Sequence, residues 1–146
     1  MNISRVTHSE QETQALANEI TGIFGRKVCY ALYGNLGAGK TCFVQGLAKA
    51  LGINAIVSSP TFTIVNEYRS SDGTRLIHAD LYRLSGPEEL ENIGWSDYID
   101  SGDTIAVEWP ERATGEFPPN TVKISISIGT NPNDRFFEIS ATTEGG

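Results

Sequence analysis

The chain has 146 residues, a formal net charge of −7 and 39% hydrophobic residues, which predicts a single domain over residues 1–146 with a modest core. Its eleven Lys and Arg residues are scattered, and this argues against strong binding of nucleic acid by the chain itself. No apolar stretch is long enough to span a membrane and no signal-peptide pattern opens the sequence, so we expect a cytoplasmic protein.

The N-terminal third predicts a helix, a strand and a second helix. Residues 9–24 have apolar positions at helical intervals, with Ser9 and Glu12 at the spacing of a capping box. A β-prone run over 28–33 follows, then a glycine-rich loop, then a helical pattern that continues to Leu51 and stops at Gly52.

The loop between strand and helix reads G-x-x-x-x-G-K-T at residues 34–41, the phosphate-binding loop of P-loop nucleotidases. Its glycines allow backbone N–H groups to point inward, and the next helix adds its positive dipole end. Lys40 would neutralise the β- and γ-phosphates, and the Thr41 hydroxyl would bind magnesium. The residues expected to contact the nucleotide are Gly34, Asn35, Leu36, Gly37, Ala38, Gly39, Lys40, Thr41 and Cys42.

The rest of the chain is richer in strands. Two β-prone runs, 62–68 and 74–82, flank a turn at 70–73 and predict a hairpin inserted into an otherwise parallel sheet. Short helices are predicted from residues 85–87 and over 95–99. Further strands are predicted over 104–110, 122–128 and 135–139, with a loop over 115–120 and a turn over 131–134.

Two carboxylates stand where apolar strands end. Glu108 closes the run Ile-Ala-Val-Glu, which is how a P-loop protein presents its magnesium-binding acid, although an ordinary surface glutamate would have the same pattern. Asp80 could orient the attacking water or act as a base. It could equally pair with Arg83 or cap the next turn.

Other polar and aromatic residues carry weaker signals. Thr61 could be a switch threonine, but from spacing alone a turn hydroxyl is the better interpretation. The two cysteines fit no metal pattern and are expected to be buried thiols, and two histidines cannot build a histidine-rich metal centre. Magnesium carried with the nucleotide is therefore the only metal expected. Trp109 could lie in the core or at an interface, and Arg112 could contact phosphate or solvent.

Five segments occur here in the same order as in one known family. They are GNLGAGKT at 34–41, SPTF at 59–62, HADLYRL at 78–84, PEEL at 87–90 and VEWPE at 107–111. The chain resembles the bacterial TsaE (YjeE) family, the small ATPase of tRNA threonylcarbamoyladenosine biosynthesis. The resemblance covers nearly the whole chain. Its DLYRL and EWP segments are more specific than the phosphate-binding loop, which many families share.

The resemblance implies a P-loop NTPase-like three-layer α/β core with a mixed parallel and antiparallel sheet. It implies ATP and Mg²⁺ as ligands, and slow ATP hydrolysis that resets a TsaB–TsaD heterodimer between turnovers. The tRNA would be reached only through that complex.

Matched to the family's motifs, Thr41 and Glu108 would be magnesium ligands and Lys40 the phosphate lysine, while Asp80 and Thr61 would be needed for hydrolysis. Segments around Glu10 and Arg135 match the family loosely and would flank the adenine. Trp109 would lie near the site.

Three other functions compete with an ATPase that drives a partner. A small-molecule kinase needs an acceptor pocket and an arginine-bearing lid, and the arginines here are dispersed. A GTP-operated switch needs N-K-x-D and D-x-x-G strings, and neither occurs. A nucleotide sensor without turnover would not need two strand-end acids.

Overall fold

The computed structural model describes residues 2–35, 38–54, 57, 65–84, 87–113 and 115–141. Within them the strands are β1 Asn2–Thr7, β2 Cys29–Tyr33, β3 Val65–Arg69, β4 Arg75–Asp80, β5 Thr104–Glu108, β6 Val122–Ile128 and β7 Arg135–Ala141. The α-helices are α1 Glu10–Phe24, α2 Lys40–Ala50 and α3 Trp95–Asp100, and 3₁₀ helices cover Pro87–Ile93 and Pro110–Ala113.

The strands form one sheet in the order β1-β7-β6-β2-β5-β4-β3. The central strands β6, β2, β5 and β4 are parallel, whereas β3 pairs antiparallel with β4 at one edge. At the other edge β7 and β1 continue the sheet antiparallel. The predicted hairpin is the β3–β4 pair, and the predicted α/β class with a mixed sheet is confirmed. The rest of the sheet is not wholly parallel as expected, because β7 and β1 also pair antiparallel.

Helical segments cover both faces of the sheet and complete three layers. Helices α1 and α2 lie on one face, where their apolar side chains share a core with strand residues such as Tyr30, Leu32 and Leu76. The 3₁₀ helices and α3 lie on the opposite face and bury Leu90 and Trp95. Side chains alternate along a strand, so each buried strand contributes to both cores. The three-layer P-loop-like core predicted from the sequence is therefore present.

Strand β1 was not predicted. Its sequence, NISRVT, is mostly exposed and lacks a clear apolar alternation, so local pattern gives little signal. The strand forms because it adds to β7 in antiparallel register from Asn2 to Thr7. Predictions that fall on 62–64 and 85–86 lie outside the described residues. Among the helices that are described, none is long and apolar enough to cross a membrane.

Helix α1 begins at its predicted cap, with one difference. Ser9 Oγ accepts the hydrogen bond from the Glu12 N–H at 3.1 Å, as the capping box predicts. The Glu12 carboxylate, however, accepts from the His8 N–H at 2.8 Å instead of from Ser9. His8 follows directly after β1, where the ladder to β7 has ended, so its N–H needs another acceptor.

Candidate functional site

The glycine loop connects the carboxyl end of β2 to the amino end of α2, at the edge of the sheet where parallel strands present their ligands. Gly39 is the N-cap of α2 and has φ 104° and ψ 18°, a left-handed conformation that favours glycine. Because glycine has no side chain to cap the helix, the first N–H groups of α2 are left for an anion. Leu36 and Gly37 lie outside the described residues.

Lys40 is the first residue of α2 and is only 4% exposed. Its Nζ donates a hydrogen bond to the Gly34 carbonyl at 2.7 Å and lies 4.0 Å from the centre of the Trp109 ring. Burial lowers the pKa of Lys40, and the negative charges of Glu108 and Asp80 oppose that shift. An ammonium held in this way, against a carbonyl and an aromatic face, is poorly solvated and suited to an anionic ligand.

Glu108 ends β5 and is almost fully buried, with 4% of the residue exposed. Its Oε2 accepts hydrogen bonds from the Thr41 hydroxyl at 3.3 Å and from the imidazole Nε2 of His78 at 2.7 Å. The sheet register explains this meeting, because β4 and β5 are parallel with Asp80 opposite Glu108. Alternation then places His78, Asp80 and Glu108 on the face that α2 covers.

Asp80 ends β4 and is half-buried. Its Oδ1 accepts the hydrogen bond from the Tyr82 N–H at 3.0 Å, so one of the two carboxylate oxygens caps the next turn, as one of the alternatives predicted. Burial raises the pKa of Asp80 and the charge of Glu108 adds to the effect, while the hydrogen bond from Tyr82 opposes it. A carboxylate with a raised pKa is a better proton acceptor near neutral pH.

The Asp80→Asn variant is expected to be slightly more stable than the parent chain at neutral pH, without nucleotide and with a chelator present. A raised pKa means that ionised Asp80 costs folding free energy, and the amide oxygen can still accept the Tyr82 N–H. The gain is absent below about pH 4, the ordinary aspartate range, and is complete above the raised pKa. Thermal unfolding between acidic and neutral pH measures it.

The matched control is Asp97→Asn, which removes an exposed carboxylate from the first turn of α3. Since the helix dipole favours a negative charge there, this change is expected to be neutral or slightly destabilising. A stability gain for Asp80→Asn that was largest at acidic pH would contradict the assigned cause.

Trp109 follows Glu108 and has φ 59°, the single positive value found for a non-glycine residue in the described chain. A bulky residue in this region is strained, and such strain clusters at functional sites. The turn ends β5 two residues earlier than the predicted strand over 104–110, and it places the indole against Lys40 and 4.9 Å from the Tyr82 ring. Arg112 lies 5.6 Å from the centre of that Tyr82 ring.

A cavity of about 310 Å³ lies beside the loop, between the start of α1 and the β6–β7 turn. Its lining includes four residues expected at the nucleotide, Gly39 and Cys42 from the loop motif and Glu10 and Arg135 from the family resemblance. The guanidinium Nε of Arg135 donates to the Ala38 carbonyl at 2.9 Å, so this side chain also ties the loop to β7. Cys42 is only half-buried, and the expectation of two buried thiols therefore holds for Cys29 alone.

The structure thus brings the predicted residues into two neighbouring groups. Lys40, Thr41, Asp80 and Glu108 lie around the carboxyl ends of β4 and β5, and the cavity residues lie on the other side of the loop. Thr61 lies outside the described residues, and its predicted role stays a prediction.

The contacts of the two histidines were not predicted from the sequence. His78 bonds Glu108, and the available signal was a polar residue inside an apolar strand two positions before an acid. His8 Nδ1 lies 2.8 Å from Asp134 Oδ1 and links β1 to the β6–β7 turn, and the Asp134 carboxylate raises the pKa of His8. No local pattern indicates a pairing over 126 residues of chain.

The oxygen ligands available at this site fit magnesium. A hydroxyl and a carboxylate, Thr41 and Glu108, face each other at 3.3 Å, and Mg²⁺ prefers such hard oxygen ligands. Within the described residues no group of three or more His, Cys, Asp or Glu side chains could hold a metal by itself. Mg²⁺ in nucleotide sites takes one or two protein ligands and completes its shell with phosphate and water, so no such group is required.

Comparison with known proteins decides the family. The model of the family described as Threonylcarbamoyl adenosine biosynthesis protein TsaE matches residues 7–136. The chain belongs to the TsaE family. The matched range contains the glycine loop, both strand-end acids and Arg135, and it confirms the resemblance seen in the sequence. The role of the family is in tRNA threonylcarbamoyladenosine biosynthesis.

Individual TsaE proteins agree with this assignment. The TsaE of Treponema pallidum is 36% identical over 128 residues, which cover 88% of this chain and 93% of that protein. The TsaE of Aquifex aeolicus is 45% identical over 109 residues, covering 73% of this chain and 76% of that protein. The crystal structure of Bacillus subtilis YdiB superposes with a TM-score of 0.77 at 32% identity, covering 98% of this chain and 87% of that one.

Proposed function

We propose that this chain is a magnesium-dependent ATPase whose slow hydrolysis of ATP supports threonylcarbamoyladenosine modification of tRNA by a TsaB–TsaD heterodimer. The observation that carries the proposal is the convergence of Lys40, Thr41, Asp80 and Glu108 around a glycine loop at one edge of the sheet. Phosphoryl transfer needs little covalent chemistry from a protein, so a cation, a metal site and a positioned carboxylate are the main requirements.

Each side chain has a defined part in the proposed reaction. The ammonium of Lys40 exchanges its bond to the Gly34 carbonyl for the β- and γ-phosphates of ATP. Thr41 and Glu108 hold Mg²⁺, which when bound neutralises charge on the phosphates. Asp80 accepts a hydrogen bond from the attacking water, and its raised pKa suits that task. The cavity lined by Glu10, Cys42 and Arg135 takes the adenine end.

The proposed partners follow from the family and agree with the charge of the chain. The net charge of −7 disfavours direct binding to the tRNA phosphates, so the tRNA is reached through the partner proteins. The site of action is the cytoplasm.

A small-molecule kinase is the alternative, and the segment between β4 and β5 disfavours it. A kinase lid must move freely over the phosphates. In this segment Leu90 and Trp95 are buried in the core on the far face of the sheet, and the Trp95 indole donates to the Glu116 carbonyl at 2.9 Å. The described part of the segment is therefore fixed to the sheet.

Phosphate release from ATP tests the proposal, measured on the purified chain with and without TsaB and TsaD. We expect Mg²⁺-dependent release that stops on chelation and rises when both partners are added. The Glu108→Gln variant should lower the rate on the order of 100-fold, because a neutral amide is a poor magnesium ligand. Glu116→Gln, which changes an exposed glutamate outside the site, is the matched control and should keep the parent rate.

Three outcomes would contradict the proposal. Phosphate release that does not rise when TsaB and TsaD are added would contradict the proposal that this chain drives those partners. Full activity of Glu108→Gln would contradict the assignment of Glu108 as a magnesium ligand. Rapid transfer of the γ-phosphate to a small acceptor would establish the kinase.

A further inference from the structure

A fully buried histidine, His78, contacts Glu108, the acid of the proposed magnesium site. His78 is 0% exposed, and its Nε2 lies 2.7 Å from Oε2 of Glu108. The Thr41 hydroxyl donates to the same oxygen at 3.3 Å. Among the contacts of the described residues, Oε2 is the Glu108 oxygen that is hydrogen-bonded, so Oε1 is the oxygen left for a ligand.

The surroundings of His78 define which nitrogen carries its hydrogen. An ionised carboxylate only accepts hydrogen bonds, so Nε2 must be the donor toward Glu108. Nδ1 is buried and has no partner within the described chain. A hydrogen on Nδ1 would be an unsatisfied buried donor, whereas a bare lone pair there is the smaller cost. The imidazole therefore carries its hydrogen on Nε2 and presents a fixed donor to Oε2.

Filling space in the core does not explain why a histidine stands at position 78 of β4. His78 lies between Ile77 and Ala79, and Leu76, on the same face, belongs to the apolar core. An aliphatic residue would fill such a position without a polar atom to satisfy. The polar contact of His78 in the described structure is to Glu108.

We infer that His78 is a positioning residue for the magnesium site: its Nε2–H holds Oε2 and the rotamer of Glu108, which leaves Oε1 as the oxygen available to the cation. The inference rests on the proposed function. Hydrogen bonds to a ligating carboxylate hold it in the geometry that the metal needs, and their loss typically weakens metal affinity or activity about 10- to 100-fold. His78 itself touches neither nucleotide nor metal in this assignment.

The test compares His78→Leu with His78→Gln by equilibrium binding of ATP, measured once with Mg²⁺ and once with a chelator. The readout is the factor by which Mg²⁺ strengthens ATP binding. For His78→Leu we expect this factor to fall roughly 10-fold, with binding in chelator unchanged. His78→Gln should recover much of it, because the glutamine amide can donate to Oε2 in place of the imidazole.

Glu108→Gln provides the control background. If His78 acts through Glu108, adding His78→Leu to Glu108→Gln should lower the Mg²⁺ factor no further. An independent loss in the double variant would overturn the inference. So would an equal loss of ATP binding with and without Mg²⁺, which a merely structural role predicts, or an unchanged factor in both single variants.

Two further measurements separate the remaining cases. Nitrogen NMR of the His78 imidazole in the parent chain reports which nitrogen carries a hydrogen, and an Nε2 without a hydrogen would overturn the donor role even if His78→Leu does not fold. A parent chain whose ATP binding is indifferent to Mg²⁺ would contradict the proposed function itself. That result is visible before any His78 variant is made.

Discussion

The Lys40→Met variant is expected to lose ATP hydrolysis by roughly 100- to 1000-fold and to bind ATP much more weakly. Lys40 is the buried cation at the start of α2, directly after the glycine loop, and methionine keeps most of its length without the charge. The β- and γ-phosphates would then lack the point charge that compensates them. Phosphate release and equilibrium binding of ATP, both with Mg²⁺, measure the two losses.

The fold should survive this change. Burial lowers the pKa of Lys40, which means that the ammonium is held in the folded state at a cost in free energy. Removing it is therefore expected to leave thermal stability equal or slightly higher. Lys49→Met on the same helix is the matched control, because Lys49 is exposed and bonds Gln14 rather than the loop. Loss of activity in both variants, or unfolding of Lys40→Met, would contradict the assigned role.

The largest effect on stability is expected for Gly46→Ala, at about 1–2 kcal/mol of lost unfolding free energy. Gly46 lies in α2 where the helix touches α1, and a Cβ there would stand 2.7 Å from Gln14 Cα and 2.8 Å from Ala17 Cβ. Overpacking of this kind costs about 1–3 kcal/mol. Because the clash is with backbone as well as side chain, we expect a cost in the upper part of that range. The higher helix propensity of alanine offsets roughly 1 kcal/mol of this cost, which leaves the expected net loss.

Gly22→Ala is the matched control and should have the opposite sign. Gly22 lies in α1 with nothing within 4 Å of the position of an added Cβ. Alanine there should raise stability by up to about 1 kcal/mol through helix propensity alone. Denaturant unfolding of both variants measures the difference. A stabilised Gly46→Ala would show that α1 and α2 are less closely packed than the structure places them.

Gly46 also matters for the site. Helix α1 begins beside the cavity, and its first residue, Glu10, lines it. A variant that pushes α1 away from α2 is therefore expected to weaken ATP binding as well as folding. Gly22→Ala should leave ATP binding unchanged.

Local sequence signals predicted most of the elements, and the physical reason differs between them. The glycine loop was clear because a left-handed Gly39 and a cation at the helix start are properties of a few adjacent residues. Helix α1 and strand β6 were clear because their apolar periodicity is strong. Strands β2 and β5 were clear because each is a short, nearly continuous apolar run. Strand β1 was missed because its stability comes from pairing with β7, whose paired residues lie 128 to 138 positions away in the chain.

For the site, the sequence by itself determined where the glycine loop lies, predicted that it binds phosphate, and identified Glu108 and Asp80 as strand-end acids. These features are visible without a fold because each depends on a few adjacent residues. Only the tertiary structure decided that Thr41 and His78 meet on one oxygen of Glu108, and that Trp109 packs against Lys40. Those contacts depend on the parallel register of β4 and β5 and on the strained turn after Glu108. Register is set by the packing of the whole sheet, so no single segment of sequence contains it.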